Sequence, residues 1–181
     1  MDAAIALSPS TPASPARITR SIARLDDLVY LEDAELRLLY ESAQAPALAD
    51  LAGPLRGRML AVPALPDVVT ALPRAWARTQ SFPWRGKTFS PRSSGDGEGI
   101  NRVVSDRVSL FRFTTAIAPS RHDSRPALEL DYDHRSNPFF IRAIEDEVRT
   151  IAPGLWLGQA WLRTGKRKTF VLWFALTSAT R

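Results

Sequence analysis

Hydrophobic positions change their period several times along this chain, and each change marks an element. Ile18, Ile22, Leu25 and Leu28 recur at spacings of three and four. With Ser14 placed to cap and Pro15 in the first turn, they predict an amphipathic helix to about Tyr30. A second helix is predicted from Glu32 or Asp33, turning Leu36, Leu39 and Tyr40 inward and ending before Pro46. Residues 1–13, rich in Ala, Ser and Pro, have little to bury and predict a disordered tail.

From residue 55 the pattern turns extended. Leu55–Val62 reads as a first strand, closed by Pro63 and Pro66. Val68, Val69, Leu72, Ala75 and Trp76 return to helical spacing, in a helix kinked or ended at Pro73. Phe82–Phe89 is a short strand, and residues 91–99, with three glycines and two serines, are a loop. Ile100–Val104 and Val108–Ala118 are strands, the second with Phe111, Phe113, Thr115 and Ile117 on one face. Ala127–Asp133 alternates Leu128, Leu130 and Tyr132 against Glu129, Asp131 and Asp133, a half-buried strand with an acidic face.

Asn137-Pro138 then offers a cap and a first-turn proline, and Phe140, Ile141, Ile144, Val148 and Ile151 share a helical face. Arg142 with Asp146, and Glu145 with Arg149, are four apart and would pair on the solvent side of that helix. Pro153-Gly154 ends it. Residues 154–176 hold three of the five tryptophans and read as two aromatic strands joined by a turn at Gly165-Lys166-Arg167-Lys168. Apolar side chains occupy both faces of this hairpin, so both faces need cover. Gly158, between Trp156 and Trp161, predicts a bend or a close approach of another backbone or a ligand.

Six or seven strands with short connections predict an α+β protein in which a strongly curved antiparallel sheet approaches closure, removing its edges. N-terminal helices (residues 14–45) precede the sheet, and one helix precedes the C-terminal hairpin. A single domain over 14–181 is expected at this length.

Composition narrows the chemistry. The chain has no cysteine, which excludes disulfides, thiolate metal sites and cysteine nucleophiles. The first residues lack the basic and apolar regions of a secretory signal, and no apolar run is long enough to span a membrane, so a cytoplasmic protein is the expectation. The net charge of +5 raises the possibility of a polyanion partner. Basic residues are nevertheless dispersed among acids, clustering only at Lys166-Arg167-Lys168 in a predicted turn, so no specific nucleic-acid binding is expected. Nucleotide-binding glycine motifs and a Gly-x-Ser-x-Gly elbow are absent, and the two histidines, His122 and His134, do not have zinc-site spacing. No metal is expected, and neither cofactor nor oligomeric state is legible.

Several elements occur in a recognisable order. They are Gly57-Arg58-Met59-Leu60-Ala61, Trp84-Arg85-Gly86-Lys87-Thr88-Phe89, Asn101-Arg102, Leu130-Asp131-Tyr132-Asp133, Asn137-Pro138, residues 141–149 and Pro153-Gly154-Leu155-Trp156-Leu157-Gly158. Over about residues 50–176 this order resembles a group of uncharacterised bacterial proteins whose sheets are similar to calycin or lipocalin barrels. The resemblance implies a calycin-like barrel and carries no assigned activity. The Gly-x-Trp of true lipocalins is replaced by Gly57-Arg58-Met59.

Two groups of residues are candidates for function. Asp131, Asp133 and His134 are the densest titratable set; paired carboxylates lining a cavity would serve as general acid and base, whereas on a solvated strand face they would do nothing chemical. Trp84, Lys87 and Asn101 flank the glycine-rich loop and would cradle a planar acidic ligand, or simply pack as core and surface charge. Phe111, Phe113, Tyr132, Trp156 and Trp161, with Phe170, Trp173 and Phe174, supply walls for either a pocket or a filled core. The favoured expectation is binding of a small, largely apolar molecule in the barrel or cup; the alternative is an enzyme using Asp131 and Asp133 in the same cup.

Overall fold

The computed structural model describes residues 22–60, 84–93, 95–103 and 107–178. The predicted tail over 1–13, the start of the first predicted helix and the helix predicted over 68–76 lie outside the described residues. Among the described residues, eight antiparallel strands close a barrel in which each strand pairs with its sequence neighbours and the last returns to the first. The strands are β1 (Gly53–Met59), β2 (Trp84–Pro91), β3 (Asp96–Val103), β4 (Ser109–Pro119), β5 (Pro126–Asp131), β6 (Ile144–Ala152), β7 (Leu155–Thr164) and β8 (Arg167–Thr177). Pairing of Arg56–Met59 with Phe174–Thr177 seals the barrel.

Alternation sends one side chain of each pair into the barrel and the next out. Leu55, Phe89, Phe113, Leu128, Leu130, Tyr132, Val148, Trp156, Phe174 and Leu176 meet inside. One end of this interior is stoppered by Leu48 and Leu51 from a short 3-10 turn (Leu48–Leu51), both buried. An eight-stranded barrel is just wide enough to be filled by its own side chains or to hold one small guest.

The outer face of the C-terminal hairpin is covered as its two-sided apolar pattern requires. Leu155, Leu157, Trp173 and Ala175 pack under Leu28, Leu31, Leu36 and Tyr40. Leu36 and Tyr40 come from α1 (Asp33–Ser42) and Leu28 from a 3-10 turn (Leu25–Leu28). α1 starts where Glu35 reaches back to accept the Glu32 backbone N–H at 2.9 Å, a reciprocal cap at the positive end of the helix dipole. Asp33 in its first turn accepts the Trp173 indole N–H at 2.7 Å, fastening the helix to β8. No helix among the described residues is long and apolar enough to cross a membrane.

Two expectations are corrected. Within the described residues, the first predicted helix is only the 3-10 turn at Leu25–Leu28. The helix predicted from Asn137 is a turn followed by strand β6. Asn137 caps nothing: its amide donates to the Arg112 and Tyr132 carbonyls and accepts the Arg112 N–H, pinning this loop to β4. The expected i,i+4 ion pairs are accordingly absent. Arg142 pairs with Asp133 and Arg149 with Asp123 instead.

Candidate functional site

The end of the barrel opposite the Leu48–Leu51 stopper is not filled by the described residues. A cavity of about 90 Å³ lies there, walled mainly by Met59, Trp84, Phe111, Ile144, Leu172 and Phe174. Its floor is polar, formed by Lys87, Asn101, Tyr132 and Asp146.

Three β-bulges surround this end, and each adds a residue to one strand. Trp84 pairs with Val103 but Gly86 pairs with Arg102, so Arg85 is extra in β2. In a regular strand Trp84 and Lys87, three apart, would face opposite ways; the extra residue turns both inward. Gly86 holds the bulge at φ 133°, where a Cβ would strike the Leu55 carbonyl, so only glycine fits. Phe111 is extra in β4 and stands at φ 63°, unusual for a non-glycine residue. Val171 is extra in β8, and both it and Leu172 reach the cavity. Deeper in, the Phe174 ring lies so close over Gly158 that a Cβ there would overlap it. The predicted close approach at Gly158 is therefore to an aromatic side chain.

The polar floor is one connected cluster. The Lys87 ammonium donates to Asp146 Oδ2 at 2.8 Å, to Asn101 Oδ1 at 2.9 Å and to the Tyr132 hydroxyl. Tyr132 donates to Asp146 Oδ2 at 2.9 Å and accepts from Asn101 Nδ2 at 3.0 Å. Trp84 Nε1 donates to Asn101 Oδ1 at 3.0 Å, and Asn101 Nδ2 also reaches the carbonyl of the bulged Phe111 at 3.3 Å. Lys87 sits 5.1–5.3 Å from the centroids of Trp84, Phe113, Tyr132 and Phe174, so aromatic faces surround the cation. Burial pulls the Lys87 ammonium below its ordinary pKa against the pull of Asp146. Burial, then the Asp146 charge, pushes the Tyr132 phenol well above its ordinary value.

The candidates separate cleanly. Trp84, Lys87, Asn101, Phe111 and Tyr132 line the cavity. Phe113 and Trp156 are buried core below it, and Trp161 is on the outer face against Phe170. Asp131, Asp133 and His134 belong to the outside: Asp131 caps the Asp133 N–H, Asp133 pairs with Arg142 and Arg163, and His134 bonds Ser136. The pleat that sends Leu130 and Tyr132 inward sends these carboxylates out, away from the cavity that Tyr132 lines. Lys87 lies on the cavity floor with its charge paired to Asp146. At the predicted basic turn, Lys168 is bound to Glu145 at 2.7 Å.

Asp146 was missed as a site residue because a helical reading places it on a solvated face. A strand reading of Ile144, Asp146 and Val148 as one face would have found it.

No family model matches the chain, and no curated protein matches it. Among solved structures, the crystal structure of a protein from Thermomonospora curvata is similar over 83% of this chain and 89% of that one, with a TM-score of 0.50 and 16% identity. Likeness at that identity speaks to the barrel fold alone.

Proposed function

We propose that the protein binds a small, largely apolar molecule in the open end of a calycin-like barrel. The observation that supports this reading is the trio of bulges around one end, which gathers aromatic and aliphatic side chains about a space they do not fill. Ligand sites combine apolar walls with a few placed polar groups, and the Lys87–Asp146 cluster supplies those. The space is smaller than the roughly 150 Å³ apolar cavity known to admit benzene, so the guest is short or slender.

Xenon is a suitable first probe because it binds apolar cavities without needing polar contacts. Under xenon pressure, the methyl NMR signals of Ile144, Leu162 and Leu172 should shift, while those of Leu36 and Leu155 in the outer layer stay fixed. Unmoved signals at the three cavity positions would refute the reading.

A further inference from the structure

We infer that the guest of this cavity is a neutral, hydroxyl-bearing molecule held through its O–H by Oδ1 of Asp146. This deepens the binding reading and rests on it. Every donor in the polar floor is already spent. The three N–H bonds of Lys87 go to Asp146, Asn101 and Tyr132. Trp84 gives its indole N–H to Asn101, Asn101 gives its amide to Tyr132 and Phe111, and Tyr132 gives its hydroxyl to Asp146. Both bonds to Asp146 land on Oδ2; among the described residues no donor reaches Oδ1. Asp146 is 4% exposed and lines the cavity. Oδ1 therefore faces the cavity as an acceptor open to water or to a guest, and a guest's O–H supplies the donor it lacks.

Charge then selects among donors. Lys87 already neutralises Asp146 at 2.8 Å. An anion entering the cavity meets a carboxylate oxygen and finds no free N–H. A cation meets the Lys87 ammonium just behind that carboxylate. A neutral alcohol offers the missing proton and brings no charge into a poorly solvated space.

The test is a series of guests of one size, titrated at pH 7.5 and constant ionic strength by calorimetry: 1-pentanol, its isomer butyl methyl ether, pentanoate and pentylammonium. The alcohol should bind about tenfold or more tightly than the ether, the scale of a hydrogen bond to a charged acceptor. Neither ion should compete. In the double variant Lys87→Met/Asp146→Leu, the preference for alcohol over ether should vanish while the ether still binds. Equal binding of alcohol and ether to the unmodified protein, or tighter binding of either ion, overturns the assignment of Oδ1 and leaves the cavity reading standing. Silence from all four guests, with silent xenon shifts, removes both. The guest series needs no variant, so a misfolded double variant does not protect the inference.

Discussion

Strand β6 carries buried charge on both faces, and the two faces solve the problem differently. On the outer face each charge of β6 is met by several partners, although Arg121 Nε in the same cluster has none among the described residues. Glu147 accepts from the Arg121 backbone and guanidinium at 2.8 Å, from Ser120 at 2.6 Å and from Tyr40 at 3.3 Å. Glu145 is shared by Arg121, Arg163 and Lys168. Arg149, fully buried, makes two bonds to Asp123 and three to the Tyr40, Arg125 and Pro126 carbonyls, all that a guanidinium can give. On the inner face Asp146 has one oxygen doubly bonded and the other open to a cavity. A charge met from several sides fixes structure: here the outer network ties α1 and the β4–β5 turn to the barrel. An acceptor left open beside a cavity is the feature the proposed guest would use.

The largest effect should come from breaking the inner pair. Asp146→Ala leaves the Lys87 ammonium among aromatic rings with only neutral partners, which should cost roughly 3–5 kcal/mol in urea unfolding. Replacing both partners, as in Lys87→Met/Asp146→Leu, should recover most of that loss, because no buried charge is stranded. A single-variant loss under about 1 kcal/mol, the range of exposed ion pairs, would mean the inner pair is well hydrated and the contrast between faces is false.

Alkaline titration probes both faces together. Tyr132 inside and Tyr40 outside both resist ionisation, first through burial and then through the charges of Asp146 and Glu147. Their folded pKa values are raised, so above the ordinary value of 10.0 the unfolded chain sheds protons that the folded chain keeps. The stability they give is whole below that pH and is lost as pH rises. Lys87, lowered by burial, acts oppositely: its contribution climbs with pH up to its ordinary 10.5 and is flat above. Stability should therefore fall beyond that point by about 1.4 kcal/mol per pH unit for each tyrosine. Tyr132→Phe and Tyr40→Phe should each halve the slope of unfolding free energy against pH. A slope changed by only one of them would show that one face admits water.

Which parts of this arrangement are legible in the sequence follows from how local their causes are. The hairpin over 154–176, its need for cover on both sides and the crowding at Gly158 are written in neighbouring residues. So are most of the strands from β1 to β5, and Trp84, Lys87 and Asn101 as a group. Strand β6 is hard to read, because Asp146 interrupts its inward apolar face of Ile144 and Val148, and those residues also fit a helical spacing with Ile141 and Ile151. Glu145, Asp146, Glu147 and Arg149 look solvated until their partners are known, and Tyr40 lies 107 residues from Glu147. The bulges are hidden likewise: nothing local announces that Arg85 is extra, although Gly86 beside it is the residue such a kink requires.

The smallest predicted effect is on the outer face. Asp123→Ala removes the only carboxylate among the described residues that binds Arg149, yet the guanidinium keeps its three backbone carbonyls. Asp123 is also 18% exposed, so removing its side chain opens the two N–H groups left behind to water. The cost should be about 2 kcal/mol, between the values for exposed and fully buried pairs. Measured beside Asp146→Ala under the same urea conditions, it should be clearly the milder change. An equal or larger loss would mean that the outer pair lies as far from water as the inner one, and that hydration is not what separates the two faces of β6.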